Sequence, residues 1–329
     1  MKKIQFIFLP LLLVSLVFSG CGGPGKQEDE PTPYPVRVAS VTIEKAPQEV
    51  VCLSPSLTEL TCELGFESRL VGRTDDALYP DEVASLPSVG KTGHIDTAAL
   101  AALAPDTVVS HESLSKKEME ALEAAGIQVV VLPMVHSLEE WENLYSQLAL
   151  LYAGQIEADS IAASHYQKIT DGLAEIQKKL PSDELQNGFL YVINPTSNII
   201  ATGDTFESSV LSAVFGQNAA ASGSDYQIEA ESLAKLNPSV VFTADPYGQP
   251  HLEQSSTYQN LEAVKNEKTA SVDSTLFAVQ SVRALEAVKE LAASLYPDLF
   301  EDEISSSAIS SAGAASESAS SAGVASGTD

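Results

Sequence analysis

The stretch IDTAALAALAPDTVV, residues 95–109, recurs without gaps as IEAESLAKLNPSVVF, residues 228–242. Each copy runs from a helical pattern through a proline into an apolar, strand-like segment, and Asp96 of the first copy lies opposite Glu229 of the second. One copy falls in each half of the chain. Unless this is a chance similarity between two βαβ fragments, the repeat predicts two related lobes of the same α/β class.

Short apolar runs alternate with helical patterns on both sides of each repeat. The strand-like runs are VVCLS (50–54), TVVSH (107–111), QVVVL (128–132), GFLYVI (188–193), SVVFTA (239–244) and TLFAV (275–279). Strands that alternate with helices form mainly parallel sheets covered by helices on both faces. We therefore expect an α/β fold of two Rossmann-like lobes, over residues 48–136 and 182–300.

Residues 137–181 connect the two lobes and contain few helix breakers. Spacings of three and four place a set of residues on one helix face: Ile161, His165, Ile169, Leu173, Ile176 and Leu180. This pattern predicts one long backbone helix between the lobes, with Trp141 packed in the segment before it rather than forming a ligand platform. Two lobes around one helix leave a cleft between the ends of two sheets, where open α/β folds bind ligands.

The N-terminus has the layout of a secretory signal. MKKIQFIFLPLLLVSLVFSGC, residues 1–21, has two lysines, an apolar run and small residues before Cys21. Its FSGC end is similar to a lipoprotein signal box, and an ordinary signal peptide with a stray cysteine is the alternative. We expect residues 1–20 to be removed, Cys21 to carry acyl chains that hold the protein to the outer face of the cell membrane, and residues 21–47 to form a flexible tether.

Composition limits the partners and the covalent links. The formal charge of −27 repels phosphate backbones, which argues against nucleic-acid binding. Residues 301–329 are rich in Ser, Ala and Gly without periodicity, so we expect a disordered tail. Cys52 and Cys62 have apolar neighbours, and we interpret them as small buried hydrophobic side chains rather than as the disulfide that an exported protein permits.

The segment VCLSPSLTELTCELGF, residues 51–66, turns from a strand into a helix at a serine-rich corner. A nucleophile elbow and a dinucleotide fingerprint both need glycines that this corner lacks. VGKTGH, residues 89–94, ends like a phosphate loop, but Ser85 occupies the place of its first glycine. Ser56 and Glu59 fit a capping box. We therefore interpret the corner as the lip of a binding cleft and expect no enzymatic activity.

Several motifs carry a resemblance to a known family. The runs SPSLTEL (54–60), LVGRTD (70–75), YPDEV (79–83) and LPSVG (86–90), with AESLAKLNPSVV (230–241), resemble the vitamin B12 and ferric-siderophore binding proteins of ABC importers. The resemblance covers residues 48–298. It implies a class III periplasmic binding protein fold with a shallow cleft and small hinge motion. It also implies that a permease and its ATPase subunits are partners. We expect the protein itself to be a monomer.

The resemblance further implies how the protein docks. In this family a glutamate on each lobe contacts arginines of the permease. Glu231 matches the second of these glutamates, whereas the first falls on Ala98. Asp96, two residues earlier, is the candidate substitute.

Candidate ligand-binding residues follow the predicted strands: Ser54, Asp75, Asp76, His111, His136, Tyr226, Tyr247 and Arg283. A trianionic ferric siderophore favours several arginines for bidentate contacts. The whole chain has four arginines, Arg37, Arg69, Arg73 and Arg283. The sequence therefore favours a cobalamin-type corrinoid as the ligand, followed by a neutral or cationic ferric siderophore.

Other ligands and functions are weaker alternatives. Haem is one, because His111, His136, Met134 or Tyr247 could supply an axial ligand. A bare Zn or Mn ion needs three or four converging ligands, and the five histidines are scattered; we predict no metal site and no resident cofactor. An extracytoplasmic hydrolase is disfavoured because no nucleophile, base and orienting acid can be assembled. A non-transport adhesin or signalling receptor of the same fold is the remaining class.

Overall fold

The structure is a computed structural model of the 329-residue chain, and it describes residues 32–301. The predicted signal peptide (1–20), Cys21 and residues 302–329 of the predicted tail lie outside the described residues. Within residues 32–301, no helix is long and apolar enough to cross a bilayer.

Strands and helices alternate along the described chain. The strands are β1 (Val36–Val38), β2 (Val41–Ile43), β3 (Val50–Cys52), β4 (Leu70–Gly72), β5 (Gly90–Lys91), β6 (His94–Ile95), β7 (Thr107–Ser110), β8 (Gln128–Val131), β9 (Phe189–Asn194), β10 (Ile199–Ile200), β11 (Val240–Ala244) and β12 (Thr269–Val272). The α-helices are α1 (Pro55–Glu63), α2 (Thr97–Ala102), α3 (Lys116–Ala124), α4 (Leu138–Ala153), α5 (Ala158–Lys179), α6 (Phe206–Phe215), α7 (Ala230–Leu233), α8 (Gln249–Gln254), α9 (Glu262–Lys265), α10 (Thr275–Ala278) and α11 (Arg283–Leu295).

The first lobe is built on a four-stranded parallel sheet with the order β4-β3-β7-β8. Its register pairs Val51 with Val108 and Val108 with Val129. Three of these strands, β3, β7 and β8, coincide with runs predicted to be strands. Valine predominates in all three strands because helices cover both faces of the sheet.

The second lobe has a sheet with the order β10-β9-β11-β12, in which β9, β11 and β12 are parallel and β10 is antiparallel. The runs GFLYVI and SVVFTA form β9 and β11 as predicted. The prediction of a strand at TLFAV is wrong, because Thr275–Ala278 forms helix α10 and the edge strand is the preceding TASV run, Thr269–Val272. The two sheets confirm the two-lobed α/β fold.

Alternate residues of each strand face different cores. Val50 and Cys52 belong to a large apolar cluster shared by both lobes, whereas Val51 belongs to a separate cluster under α2 and α3. In the second sheet, Phe189 faces the shared cluster and Leu190 faces a cluster under α7, α8 and α9. The shared cluster includes the buried faces of α4 and α5 and therefore joins the two lobes.

The predicted long backbone helix is α5, whose 22 residues span about 33 Å. Its buried face is formed by Ala158, Ala162, Tyr166, Ile169, Leu173 and Ile176. Ile161 and His165, predicted on this face, are half-buried beside it. Gly154 separates α4 from α5 with φ at +72°, and an added Cβ there would meet the Pro33 carbonyl group. The connection thus consists of the predicted long helix α5 and, before it, a separate helix α4 that contains Trp141.

Residues 36–43 correct the predicted tether. β1 and β2 form an antiparallel hairpin that pairs Val36 with Ile43, and both side chains are buried in the shared cluster. The backbone N–H of Ala39 donates to Gln147 Oε1 of α4 at 2.8 Å. Alternating apolar residues give this segment one buried face, and β1 packs on α4.

A buried junction fixes the end of the first lobe and the start of the connecting segment to the second lobe. Gln280 lies between α10 and α11, and its Nε2 donates to the Val135 carbonyl oxygen at 2.7 Å while its Oε1 accepts from the Val135 N–H at 3.0 Å. Trp141 Nε1 donates to the Gln280 carbonyl oxygen at 2.7 Å. Trp141 is fully buried, with Phe206 edge-on at 5.0 Å between ring centroids. Its predicted packing role is confirmed.

The two cysteines of the described chain are both free thiols. Cys52 is fully buried in β3, and burial raises the pKa of its thiol to about 11. Cys62 is half-buried in α1, and desolvation raises the pKa of its thiol to about 12. The interpretation of this pair as unlinked side chains is confirmed.

Candidate ligand-binding cleft

A cavity of about 850 Å³ lies at the carboxyl ends of the first-lobe strands. The loops after β3, β4, β7 and β8 and the β5–β6 hairpin form one wall, and Thr275, Ala278, Val279 and Arg283 of the second lobe form the other. This volume is in the upper part of the range of ligand pockets, which extends from about 300 to 1,000 Å³. The cavity is therefore large enough for a bulky molecule held between the lobes.

The serine-rich corner lies at this cavity, and its helix begins earlier than predicted. Ser54 is the N-cap of α1, and its Oγ accepts from the Leu57 N–H at 3.2 Å. Pro55 occupies the first turn, where a missing N–H removes no helix hydrogen bond. The capping box predicted between Ser56 and Glu59 is consequently wrong. Both side chains line the cavity, and Ser56 Oγ is buried without a protein partner.

Glu59 instead joins the two lobes at the edge of the cavity. Its Oε1 accepts from Arg283 Nη1 at 3.1 Å and its Oε2 accepts from Ser281 Oγ at 2.6 Å. The Glu59 side chain is 4% exposed and that of Arg283 is 22% exposed. Burial raises the pKa of the Glu59 carboxyl, and the contacts with Ser281 and Arg283 oppose this effect. The guanidinium of Arg283 also lies over the ring of Tyr79, 4.9 Å from its centroid.

Glu63, one turn further along α1, makes a second contact between the lobes. Its Oε1 accepts from Tyr145 Oη at 2.7 Å, and its Oε2 accepts from the Val282 N–H at 3.4 Å. Burial raises the pKa of the Glu63 carboxyl. Together, Glu59 and Glu63 attach one face of α1 to the start of α11.

His111 lines the cavity in a defined tautomer. Its Nδ1 lies 2.7 Å from the Leu132 carbonyl oxygen, which can only accept, so Nδ1 carries the hydrogen. Burial lowers the pKa of His111, which favours the neutral ring. Nε2 then has a lone pair, and it is buried without a protein partner. Because Ser56 Oγ is also without a partner, the two residues do not form a nucleophile–base pair.

The two aspartates after β4 have different positions. Asp76 lines the cavity and accepts from Thr92 Oγ1 at 3.1 Å. Desolvation raises the pKa of its carboxyl, but several hydrogen bonds of this kind together outweigh it, so the pKa is lowered overall. Asp75 does not line it, and its carboxylate accepts from Ser88 Oγ at 2.5 Å. The structure thus brings four predicted residues to the cavity: Ser54, Asp76, His111 and Arg283.

The remaining predicted ligand residues lie elsewhere. His136 is exposed, and its backbone N–H donates to Glu140 Oε2 at 2.7 Å. Tyr226 Oη donates to Glu207 Oε2 at 3.3 Å, and Tyr247 packs edge-on against His251 at 5.3 Å between ring centroids. None of the three predicted residues, His136, Tyr226 or Tyr247, lines the cavity.

Sequence reasoning missed several of the lining residues. They include Glu59, Tyr79, Glu112, Glu118 and Thr275, whereas Met134, considered only as a possible haem ligand, does line the cavity. The position of Glu112 just after β7 could have indicated it. Glu59 had no such signal, since its partner Arg283 lies 224 residues away along the chain.

The candidate docking acids lie on the surface. Glu231 is exposed on α7. Asp96 is the N-cap of α2, and its Oδ1 accepts from the N–H groups of Ala98 and Ala99 at 2.9 and 3.0 Å. Asp96 therefore has a structural role in addition to any contact with a permease.

The described residues offer no cluster for a bare metal ion. Within residues 32–301, no group of three or more His, Cys, Asp or Glu side chains is placed to hold one. The cavity walls combine apolar surface with isolated polar groups, an arrangement that binds an intact molecule.

Two α/β lobes, connecting helices and a cavity at the strand ends define a two-lobed solute-binding protein. A model of the periplasmic binding protein family matches residues 50–276. The chain therefore belongs to the periplasmic binding protein family, and its fold is the class III form.

Individual relatives agree with this assignment. The chain is 32% identical over 317 residues to the ABC transporter substrate-binding lipoprotein YvrC of Bacillus subtilis, a match that covers 92% of this chain and 100% of that protein. It is 23% identical over 265 residues to a cobalamin-binding protein of Halobacterium salinarum, covering 77% of this chain and 70% of that protein. A solved structure described as a possible iron-binding periplasmic protein from Staphylococcus epidermidis matches with a TM-score of 0.66 and 20% identity, over 77% of this chain and 100% of that chain. The predicted resemblance to substrate-binding proteins of ABC importers is confirmed.

Proposed function

We propose that this protein is a lipid-anchored, extracytoplasmic substrate-binding protein that captures a metal chelate and delivers it to an ABC permease. The observation that carries the proposal is the cavity of about 850 Å³ between the lobes. A corrinoid is the favoured ligand and a ferric siderophore is the next candidate. The 23% identity to a cobalamin-binding protein supports this order, as does the small number of arginines.

The ligand is tested by titration of the full chain with cyanocobalamin, ferrioxamine B and haemin. Binding is measured by calorimetry, and each ligand is recovered afterwards and analysed by mass spectrometry. We expect saturable binding of cyanocobalamin or ferrioxamine B and recovery of the ligand unchanged. Product formation, or no binding of any of the three, would contradict the proposal.

Haem is a further candidate ligand, after the corrinoid and the siderophore, because of His111. Its Nε2 carries a lone pair and has no protein partner, which suits an axial ligand after a small local shift. A shifted Soret band that His111→Ala abolishes would favour haem over a corrinoid.

The proposal of a lipid anchor rests on Cys21 and the sequence before it. The mature N-terminal peptide is expected to begin at Cys21 and to carry acyl chains, which mass spectrometry measures directly. Cys21→Ser is expected to release the protein from the membrane fraction. An unmodified N-terminus at another residue would contradict lipid anchoring and leave the ligand proposal standing.

Docking is proposed to use Glu231, with Asp96 as its counterpart on the first lobe. Because Glu231 lies outside the cavity on an exposed helix, Glu231→Ala is expected to leave ligand affinity unchanged and to weaken co-purification with the permease at least tenfold. Glu175→Ala, which removes an exposed glutamate of α5, is the matched control. Unchanged uptake by membrane vesicles carrying Glu231→Ala would contradict this role.

A further inference from the structure

The charges on the cavity wall are unevenly distributed. The lining residues, all within the described part of the chain, include four carboxylates, Glu59, Asp76, Glu112 and Glu118, and a single arginine, Arg283. His111 adds no charge, because its ring is neutral in the tautomer that the structure indicates. The wall that a ligand meets is therefore acidic.

Arg283 is the one arginine or lysine among the lining residues of the described chain, and it is already engaged. Glu59 Oε1 accepts from its Nη1 at 3.1 Å, and the ring of Tyr79 covers its guanidinium face. Glu59 is held in turn by Ser281 Oγ at 2.6 Å, so the carboxylate cannot move away without losing a buried hydrogen bond. An anionic ligand would have to compete with Glu59 for the guanidinium.

We propose that Glu59 is a specificity-determining residue, which neutralises Arg283 and so restricts the cleft to chelates that are neutral or cationic. This inference rests on the proposed function, since it concerns the ligand of the same cavity. A charged group left without a partner in a poorly hydrated site is strongly unfavourable, and specificity arises from this penalty on the wrong ligand. Glu59 therefore excludes ligands that have the right shape but carry free carboxylates.

The test uses ligand pairs that differ in charge and little in shape. Cyanocobalamin is compared with a monocarboxylic acid derivative in which one side-chain amide is hydrolysed, and ferrioxamine B is compared with its N-succinyl derivative. For each pair the charge preference is the dissociation constant of the anionic form divided by that of its partner. We expect the wild-type chain to prefer the neutral or cationic form at least tenfold.

Glu59→Gln keeps the size of the side chain and an oxygen that can accept from Ser281 or Arg283, but it removes the charge. We expect the charge preference to fall about tenfold, chiefly through tighter binding of the anionic form. Glu139→Gln, an exposed glutamate of α4 outside the cavity, is the matched control and is expected to keep the wild-type preference.

The outcomes separate this inference from the proposed function. A wild-type preference of one or below overturns the role of Glu59 and leaves the binding function intact, and it does so even when Glu59→Gln fails to fold. A folded Glu59→Gln variant with an unchanged preference also overturns it. No binding of either member of either pair to the wild-type chain contradicts both proposals.

Discussion

Gln280 is the side chain whose removal is expected to damage the connection between the lobes most. It is 4% exposed, and its amide group forms two hydrogen bonds with the backbone of Val135, at 3.0 and 2.7 Å. Gln280→Ala leaves the N–H and C=O groups of Val135 buried without partners. Each such group costs about 1–3 kcal/mol, so the two together give an expected loss of about 2–6 kcal/mol from a total stability of about 5–15 kcal/mol.

Gln280→Glu tests the geometry of this contact. The change keeps the size of the side chain but turns the donor Nε2 into a carboxylate oxygen facing the Val135 carbonyl oxygen, and neither atom has a hydrogen. We expect a loss at pH 7 of the same size as that of Gln280→Ala. Acidification should recover part of it, because a protonated carboxyl group can donate to the Val135 oxygen.

The assay is urea denaturation, followed by circular dichroism and by the fluorescence of Trp141, whose Nε1 donates to the Gln280 carbonyl oxygen. Linear extrapolation gives the free energy of unfolding of each variant. Gln259→Ala, at an exposed position, is the control and should stay within about 0.5 kcal/mol of the wild type. A Gln280→Ala variant within the same margin would refute the proposed importance of this junction.

Two further predictions concern buried ionisable groups. Cys52 and Cys62 should resist thiol reagents at pH 8 in the native protein and react once urea unfolds it, because burial raises their pKa values to about 11 and about 12; rapid native labelling, located by peptide mass mapping, would contradict this. Glu207 has a pKa raised chiefly by burial, so its contribution to stability falls as the pH rises from its unfolded pKa through its folded pKa. Glu207→Gln should therefore raise the Tm at pH 7.5 by about 2–4 °C and have little effect at pH 4, whereas an equal shift at both values in thermal melts would argue against this cause.

Most of the fold could be predicted because central strands of a parallel sheet are buried on both faces. TVVSH and SVVFTA are short apolar runs for that reason, and they form the central strands β7, Thr107–Ser110, and β11, Val240–Ala244. The edge strands β4 and β12 have weaker signals, because their sequences, LVG and TASV, are short or contain polar residues, whereas the edge strand β8 keeps the apolar run QVVV. TLFAV has the apolar character of a strand yet forms α10, and periodicity cannot distinguish the two states over five residues.

The site was predictable where the ligand wall follows strand ends. Ser54, Asp76 and His111 come after β3, β4 and β7 and do line the cavity. The prediction of Tyr226 and Tyr247 assumes that the second lobe contributes in the same way. Its wall instead comes from α10 and the start of α11, so the two related lobes present different surfaces to the cleft.

Glu59 shows most clearly that a local sequence pattern is insufficient to predict the contacts of a side chain. Its spacing from Ser56 satisfies a capping box, but Pro55 in the first turn lets Ser54 begin the helix, and this rotates Glu59 away from the helix start toward the second lobe. There it is a 4% exposed carboxylate whose desolvation its partners offset only in part. A buried ion pair of this kind is weak evidence for stability, because apolar residues of similar volume often stabilise a protein as well or better. The pair is therefore better explained by what it does to the cavity, where it occupies the one lining arginine and leaves the remaining carboxylates to select the charge of the ligand.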